Sequence, residues 1–520
     1  MSADTARQQA ASLGLSYAEE GLIVLGSPVG TPKFESFHFE QAVEAMAHRI
    51  QSIMKLLQDA EQPSGCSLQS VSYLLRVASF STLTHLLRTV PPAHTLAGAE
   101  EADNILMDAV AALAGSPSSV MDSHTRKRAQ LPLARGGMGM TSQVELRHIA
   151  YLASLCAVTA GITQLLPFLK EDDGADFIVG LSDALQVVTA ELPGLEGDDA
   201  VPSISEILAQ GTLGRQHRWS DFKANIRFNE VKRQLSGKKL LYLLSTATSE
   251  ASAAYSAHPL LPCNRMSNSQ LCTLFKVRLG INLFHRGFKC KCGESVTPDG
   301  LHALSCQYMQ PFASTRHHRV KNALAKVLKE QPGASVAVEL PLADVPGMKP
   351  KVPVPGTVSR RSPNRKSSND GTIMDIVRTE THTDTVHFVD VVTTHPTENN
   401  NSTLQPGQAA RAAEQKKRSL YNTRWFFSSQ RILVPFAIET GGTMGEDAIN
   451  FVKLVANQAR LPLEDDLPLR DFLQYRRAIE RVAVVNQRHV AVQLNQFIAY
   501  SRHYLARALY GGSDAVYNAA

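Results

Sequence analysis

The chain has 520 residues, 43% of them apolar and 19% charged, with a formal net charge of +5. This is ordinary globular usage: it excludes a disordered or fibrous chain and leaves room for several domains of roughly 100–200 residues each. Seven cysteines are too few for a secreted disulfide scaffold and indicate a reducing, intracellular compartment.

Residues 1–20 lack a basic segment followed by an apolar one, so they read as a flexible leader rather than a signal peptide. GLIVLGSPVGT, from Gly21, reads as a short buried strand closed by the turn formers Gly26, Pro28 and Gly30. Apolar residues at three- and four-residue spacing then predict a series of helices, one of them stopped at Pro91-Pro92. LPLARGGMGMTS reads as a loop. Ile149–Leu169 runs 21 residues without a charge, nominally membrane-spanning length. Its Ser154, Thr159, Thr163, Gln164 and Pro167, and the lack of a second such span, favour a buried bundle helix and no membrane.

The composition changes after 262. Cysteines gather between 263 and 306, a helix follows at 316–330, and three β-like runs come next: SVAVEL (335–340), TIMDIV (372–377) and VHFVDVVTT (386–394). The Pro/Ser-rich stretch at 344–371 reads as a flexible basic insertion. A helix at 407–422, a strand at 432–440 and a helical tail to about 510 complete the chain. The fold class is α+β and multidomain: leader 1–20, helical region 21–150, helical connector 151–262, cysteine-rich module 263–310, α/β domain 311–445 and helical tail 446–520.

Cys290, Cys292, His302 and Cys306 form C-x-C-x9-H-x3-C. Three thiolates and an imidazole suit tetrahedral Zn²⁺ with no open position, hence a structural site. The four-residue step from His302 to Cys306 puts both on one face of a helical turn. His285 is a spare ligand, and Cys66, Cys156, Cys263 and Cys272 read as core residues.

Asp375 and Asp390 each stand alone in an apolar strand, which is costly unless something pairs or coordinates them. Two such acids at a sheet edge suit Mg²⁺ or Mn²⁺, with Glu339 as a third acid and Lys416 and Lys417 as cations for a phosphate. The alternative is structural pairing with Arg378 or Lys417. Three basic clusters could grip a phosphate backbone: Arg126-Lys127-Arg128, the insertion with Arg360 and Arg361, and Arg411 with Lys416 to Arg418. Trp219 and Trp425 read as packing residues.

In order along the chain, the GLIVLGSPVG strand, LPLARGGMGMTS, the Cys/His set, Arg316-His317, Glu339, Asp375, Asp390 and Lys417-x3-Tyr421 resemble a known arrangement. It is the carboxy-terminal half of reverse transcriptases from non-LTR retrotransposons that carry a restriction-like endonuclease. The resemblance implies thumb-like helices, a Cys-Cys-His-Cys zinc knuckle and a PD-(D/E)xK endonuclease acting on target DNA with a catalytic Mg²⁺ or Mn²⁺. It makes Asp375 and Asp390 the metal acids, Lys417 and Tyr421 the displaced lysine and its partner, and Arg316-His317 a nucleic-acid contact. Met374 stands where the family has proline, and Asp370 is a substitute acid. The implied partners are target DNA, element RNA and a separate polymerase-bearing chain, with no small-molecule substrate, and the implied location is the nucleus. The acidic pairs Asp172-Asp173, Asp198-Asp199 and Asp465-Asp466 lie in polar loops, so reverse transcription by this chain alone is not expected. The other reading is a catalytically inactive remnant that still binds nucleic acid.

Overall fold

The computed structural model describes residues 3–14, 17–58, 67–79, 81–166, 178–209, 215–331, 333–351, 372–458 and 468–510. The chain is mixed α+β and mainly helical, with a small sheet. It divides into two compact units, one formed by Met1–Pro132 with Gly139–Val231, the other by Leu133–Met138 with Lys232–Ala520.

The first unit is helical apart from one hairpin. Helix α1 (Ala3–Ser12) replaces the flexible start expected of the leader. Strands β1 (Gly21–Val24) and β2 (Ser27–Gly30) pair antiparallel around a two-residue turn. This corrects the reading of a single buried strand. The run folds back on itself, and Leu25 at the turn is 94% exposed. The chain continues through α2 (Pro32–Gln58), α3 (Leu68–Ala78), α4 (Ser81–Thr89), α5 (Pro92–Leu113), α6 (Ser123–Gln130), α7 (Gln143–Leu165), α8 (Leu181–Glu191), α9 (Ile204–Ala209) and α10 (Arg215–Arg233). Pro92 opens α5 at a position where a missing N–H costs nothing. The uncharged stretch from Ile149 begins inside α7, the one described helix long and apolar enough to cross a membrane. Its inner face buries Ile149, Leu152 and Cys156 with Trp219 of α10, whose indole N–H donates to the Asp199 carbonyl.

The second unit starts with α11 (Gly237–Thr246), α12 (Ser249–Ser256) and α13 (Asn268–Leu279). A capping box of Ser267 and Gln270 opens α13 and Gly280, left-handed at φ 79°, closes it. Arg278 of α13 is fully buried and donates to the carbonyls of Gly137 and Leu133, which holds the glycine-rich loop in this unit. A small hairpin, β3 (Phe288–Lys289) and β4 (Ser295–Val296), precedes α14 (Gln310–Lys329).

The main sheet has the order β5 (Ala334–Pro341), β6 (Ile373–Glu380), β7 (Val386–Thr394), β8 (Arg431–Glu439). The first three strands are antiparallel neighbours, and β7 and β8 are parallel, joined by the crossover helix α15 (Gln408–Arg424). Side chains alternate across the sheet. Val377 and Phe388, directly opposite each other, pack with Tyr421 and Trp425 from the α15 region, and Trp425 is buried like Trp219. Arg378 and His387, also opposite each other, point to the other face, toward α16 (Glu446–Gln458), where Gln458 bonds Arg378 and Glu380. Full burial of Phe388 and Phe436 contributes roughly 1.5–3 kcal/mol each. The 43-residue helix α17 (Pro468–Tyr510) packs along α12, α13, α14 and α16.

Candidate metal cluster and candidate active site

The β3–β4 hairpin brings the cysteines together. Cys290 N–H donates to Glu294 O and Gly293 N–H to Cys290 O, with Gly293 left-handed at φ 91° so that the turn closes within reach of both thiols. His302 and Cys306 return on the far side, but not on the α-helical turn expected. His302 lies in a 3₁₀ turn (Leu301–Leu304) and Cys306 follows it. The four ligand atoms lie within 4.8 Å of one another. Cys290 Sγ and Cys306 Sγ are 3.7 Å apart, the edge of a tetrahedron with zinc–sulfur bonds of about 2.3 Å. Cys292 Sγ is 3.3 Å from His302 Nε2, and Glu294 Oε2 sits 3.1 Å from His302 Nδ1. That carboxylate fixes the imidazole so that Nε2 faces the cluster, an arrangement typical of metal sites. Cys290, Cys292, His302 and Cys306 thus form a group able to hold a metal ion such as zinc. Phe497 of α17 packs edge-on against His302 and stacks on Phe288, which seats the hairpin.

In the sheet, register brings the acids together. Ile376 pairs with Val389, and one step further sets Asp375 beside Asp390 on the α15 side of the sheet. Val391 N–H donates to Asp375 Oδ2 at 2.8 Å, and His317 Nε2 of α14 lies 3.5 Å from Oδ1. Lys417 Nζ is 2.8 Å from Asp390 Oδ2, and its ammonium lies 5.9 Å from the Tyr421 ring centre. Burial pushes the Asp375 carboxyl up, but His317, Val391 N–H and Lys321 outweigh it and hold the group below the usual range. Burial, aided by the Asp375 charge, raises Asp390 in spite of Lys417 and Tyr421. Two adjacent carboxyls with opposed affinities for a proton are suited to different duties at one site. Asp375 at 17% and Lys417 at 33% side-chain exposure remain reachable from solvent.

Glu339 continues the row onto β5, since Val338 pairs with Ile376 and Leu340 with Met374. Its φ of 56° is left-handed, unusual for a glutamate, and the carboxylate swings out to Lys321 Nζ at 2.5 Å. Glu339 therefore borders the acid pair with its charge committed to Lys321. Arg316 is a correction. It is 2% exposed, on the inward stripe of α14 with Val320, Leu324 and Leu328, and donates to Gln493 Oε1 of α17. A side chain so enclosed packs two helices together and offers nothing to a phosphate. The triplet on α6 is likewise engaged within its own unit: Arg126 bonds Asn104 and Met121 O, Lys127 pairs with Glu230, and Arg128 is buried. Lys416 is exposed. Arg360, Arg361, Asp370 and Cys66 lie outside the described residues.

Sequence reading missed His317 as an acid-pair neighbour, Glu294 as the imidazole's anchor, and Glu414. Glu414 is buried on α15 and accepts from the backbone N–H groups of Asp447 and Ala448 at the start of α16 and of Ala437 in β8. A Cβ on Gly445 would meet its carboxyl at 2.1 Å, so only glycine fits there. Burial raises Glu414 to about 7 against the pull of those N–H groups. The folded state then holds the proton more tightly than the unfolded chain. The stability this confers is complete below about pH 4.5, falls as pH rises to about 7 and is flat above, a total of about 3 kcal/mol. Denaturation midpoints of wild type and Glu414→Gln at pH 5 and pH 8 should diverge in favour of the variant at the higher pH. A difference independent of pH would refute the assignment. No protein-family model matches the chain, and no curated protein matches it.

Proposed function

We propose that the second unit carries a metal-dependent DNA endonuclease of the restriction-like, PD-(D/E)xK type, derived from a non-LTR retrotransposon and nicking its target DNA. The single observation that carries this reading is the convergence of Asp375, Asp390 and Lys417 from two neighbouring strands and the crossover helix. Asp375 and Asp390 would hold Mg²⁺ or Mn²⁺. Asp390 is already engaged by Lys417 at 2.8 Å and by Tyr421, so a cation on its Oδ2 would take the place now held by the Lys417 ammonium. When bound, such a cation polarises a phosphoryl oxygen and lowers the pKa of coordinated water. Lys417 then turns its ammonium to the charge that develops on the phosphate, and Tyr421 holds Lys417 and Asp390 in place. His317 orients Asp375. The Cys/His group would hold structural Zn²⁺ as a knuckle for target DNA or element RNA, in the nucleus, with a separate chain supplying polymerase.

Purified protein incubated with supercoiled plasmid should nick it in Mg²⁺ or Mn²⁺ and not in EDTA. Asp375→Asn/Asp390→Asn should abolish the nicking. The second reading, an inactive nucleic-acid-binding remnant, draws support from Met374, fully buried where the family has proline. Salt-sensitive DNA binding without nicking in either metal would establish it.

A further inference from the structure

Helix α15 leads away from the acid pair along a strip without acids. From Gln415 to Arg431 the sequence has five lysines and arginines and no Asp or Glu. Lys417 pairs with Asp390, Arg418 with Asp447, and Arg431 lies near Asp384. Lys416 and Arg424 are exposed and have no ion-pair partner among the described residues. Arg424 follows Lys417 by two turns on the same helix face, about 10.5 Å along the axis.

At that point a second segment joins. Lys351 N–H donates to Arg424 O at 2.8 Å, Phe426 N–H to Lys349 O at 3.2 Å, and Lys351 Nζ to Asn422 O at 2.7 Å. Pro350 bridges Trp425, whose buried ring anchors the junction. On this frame Phe426 stands 58% exposed, with the Lys351 ammonium 5.0 Å from its ring centre. Lys349 is exposed beside it. Arg424 in the last turn offsets the helix's terminal carbonyls, and single exposed apolar residues are common. Neither fact explains why a rigidly framed aromatic ring and three cations meet with no acid paired to them among the described residues. Cations that track a backbone beside an aromatic ring that stacks a base are the components of a single-strand site.

We propose that Lys349, Lys351, Arg424 and Phe426 bind an unpaired nucleic-acid strand, its phosphates on the cations and one base stacked on Phe426. The endonuclease reading gives this strand its direction, leading from the acid pair along α15; the binding itself does not depend on cleavage.

The test is fluorescence anisotropy in EDTA with labelled oligo(dT) of about 15 nucleotides, the matching oligo(U) and a duplex of equal length. Phe426→Ala should weaken single-strand binding roughly 5- to 150-fold, and Phe426→Tyr should bind as the parent does. Arg424→Gln should lower the salt slope by about 0.7. The DNA and RNA arms identify which strand is held, and unchanged circular-dichroism melts rule out unfolding. Absence of single-strand binding by the parent, parental affinity in Phe426→Ala, or a duplex preferred with the same Phe426 dependence would each overturn the proposal. If plasmid is never nicked but the Phe426 dependence holds, the endonuclease reading falls and this site stands. Nicking that ignores Phe426, with no strand binding, gives the reverse.

Discussion

Cys306→Ser is expected to lose the metal of the Cys/His group and to unfold the segment around it, with zinc content falling from one per chain to below detection. The four ligand atoms lie within 4.8 Å of one another, so the cluster without metal is three thiols and an imidazole crowded together. Burial and neighbouring thiols push Cys306 up to about 12 and raise Cys290 as well, so metal-free these groups keep their protons. Zinc must displace those protons, and its affinity should fall steeply from pH 8 to pH 6, with proton release visible in weak buffer. Structural zinc is worth roughly 10–16 kcal/mol in isolated finger peptides. Besides the metal ligands the β3–β4 hairpin is held by two residue pairs of sheet, the buried Val296 and the contacts of Phe288 with Phe284 and Phe497. Chelation should therefore produce an early, separate melting step and open new protease cuts between 288 and 309 that the metal-bound chain resists. A Cys306→Ser chain with parental zinc content and a parental melt would sink the assignment.

Lys417→Met is expected to lower plasmid nicking about 10²–10³-fold, the usual cost of removing a preorganised group aimed at developing charge. It also leaves Asp390, 7% exposed and already raised, beside Asp375 with no cation opposite. Breaking a buried pair in this way costs about 3–5 kcal/mol, less here because Lys417 is one-third exposed. The double variant Lys417→Met/Asp390→Asn removes the stranded charge and should recover most of the stability. It should not recover nicking. If activity instead follows stability through the cycle, the pair is structural and the alternative stated for Asp375 and Asp390 holds.

What the sequence made legible differs from element to element for physical reasons. The run VHFVDVVTT is apolar enough to declare a buried central strand, and β7 covers those nine residues. The hairpin at 21–30 was obscured because Leu22, Ile23 and Val24 are apolar but exposed, and only the turn at Leu25-Gly26 separates its strands. The burial of Arg316 was legible in principle, since Arg316, Val320, Leu324 and Leu328 recur every four residues. A motif beginning with arginine invited the other reading. The contact of His317 with Asp375 joins α14 to β6 across an intervening strand, and nothing local encodes it. The pairing of Glu339 with Lys321 was not legible, because an αL conformation at a non-glycine residue leaves no trace in residue type.

Helix α17 has a consequence for how this unit tolerates change. Asn486 and Gln487 donate to the carbonyls of Glu439 and Thr440 at the end of β8. Farther along, Gln493 donates to Ala303 O and Phe497 packs on His302. One rigid rod thus gauges the interval between the sheet and the candidate metal cluster, roughly 16 Å for the eleven residue steps from Asn486 to Phe497. Deleting a single residue between them shortens that interval by only about 1.5 Å but swings Phe497 about 100° around the axis. Substitutions on the rod's outer surface leave both attachments in place, whereas a one-residue insertion or deletion between them cannot satisfy both at once.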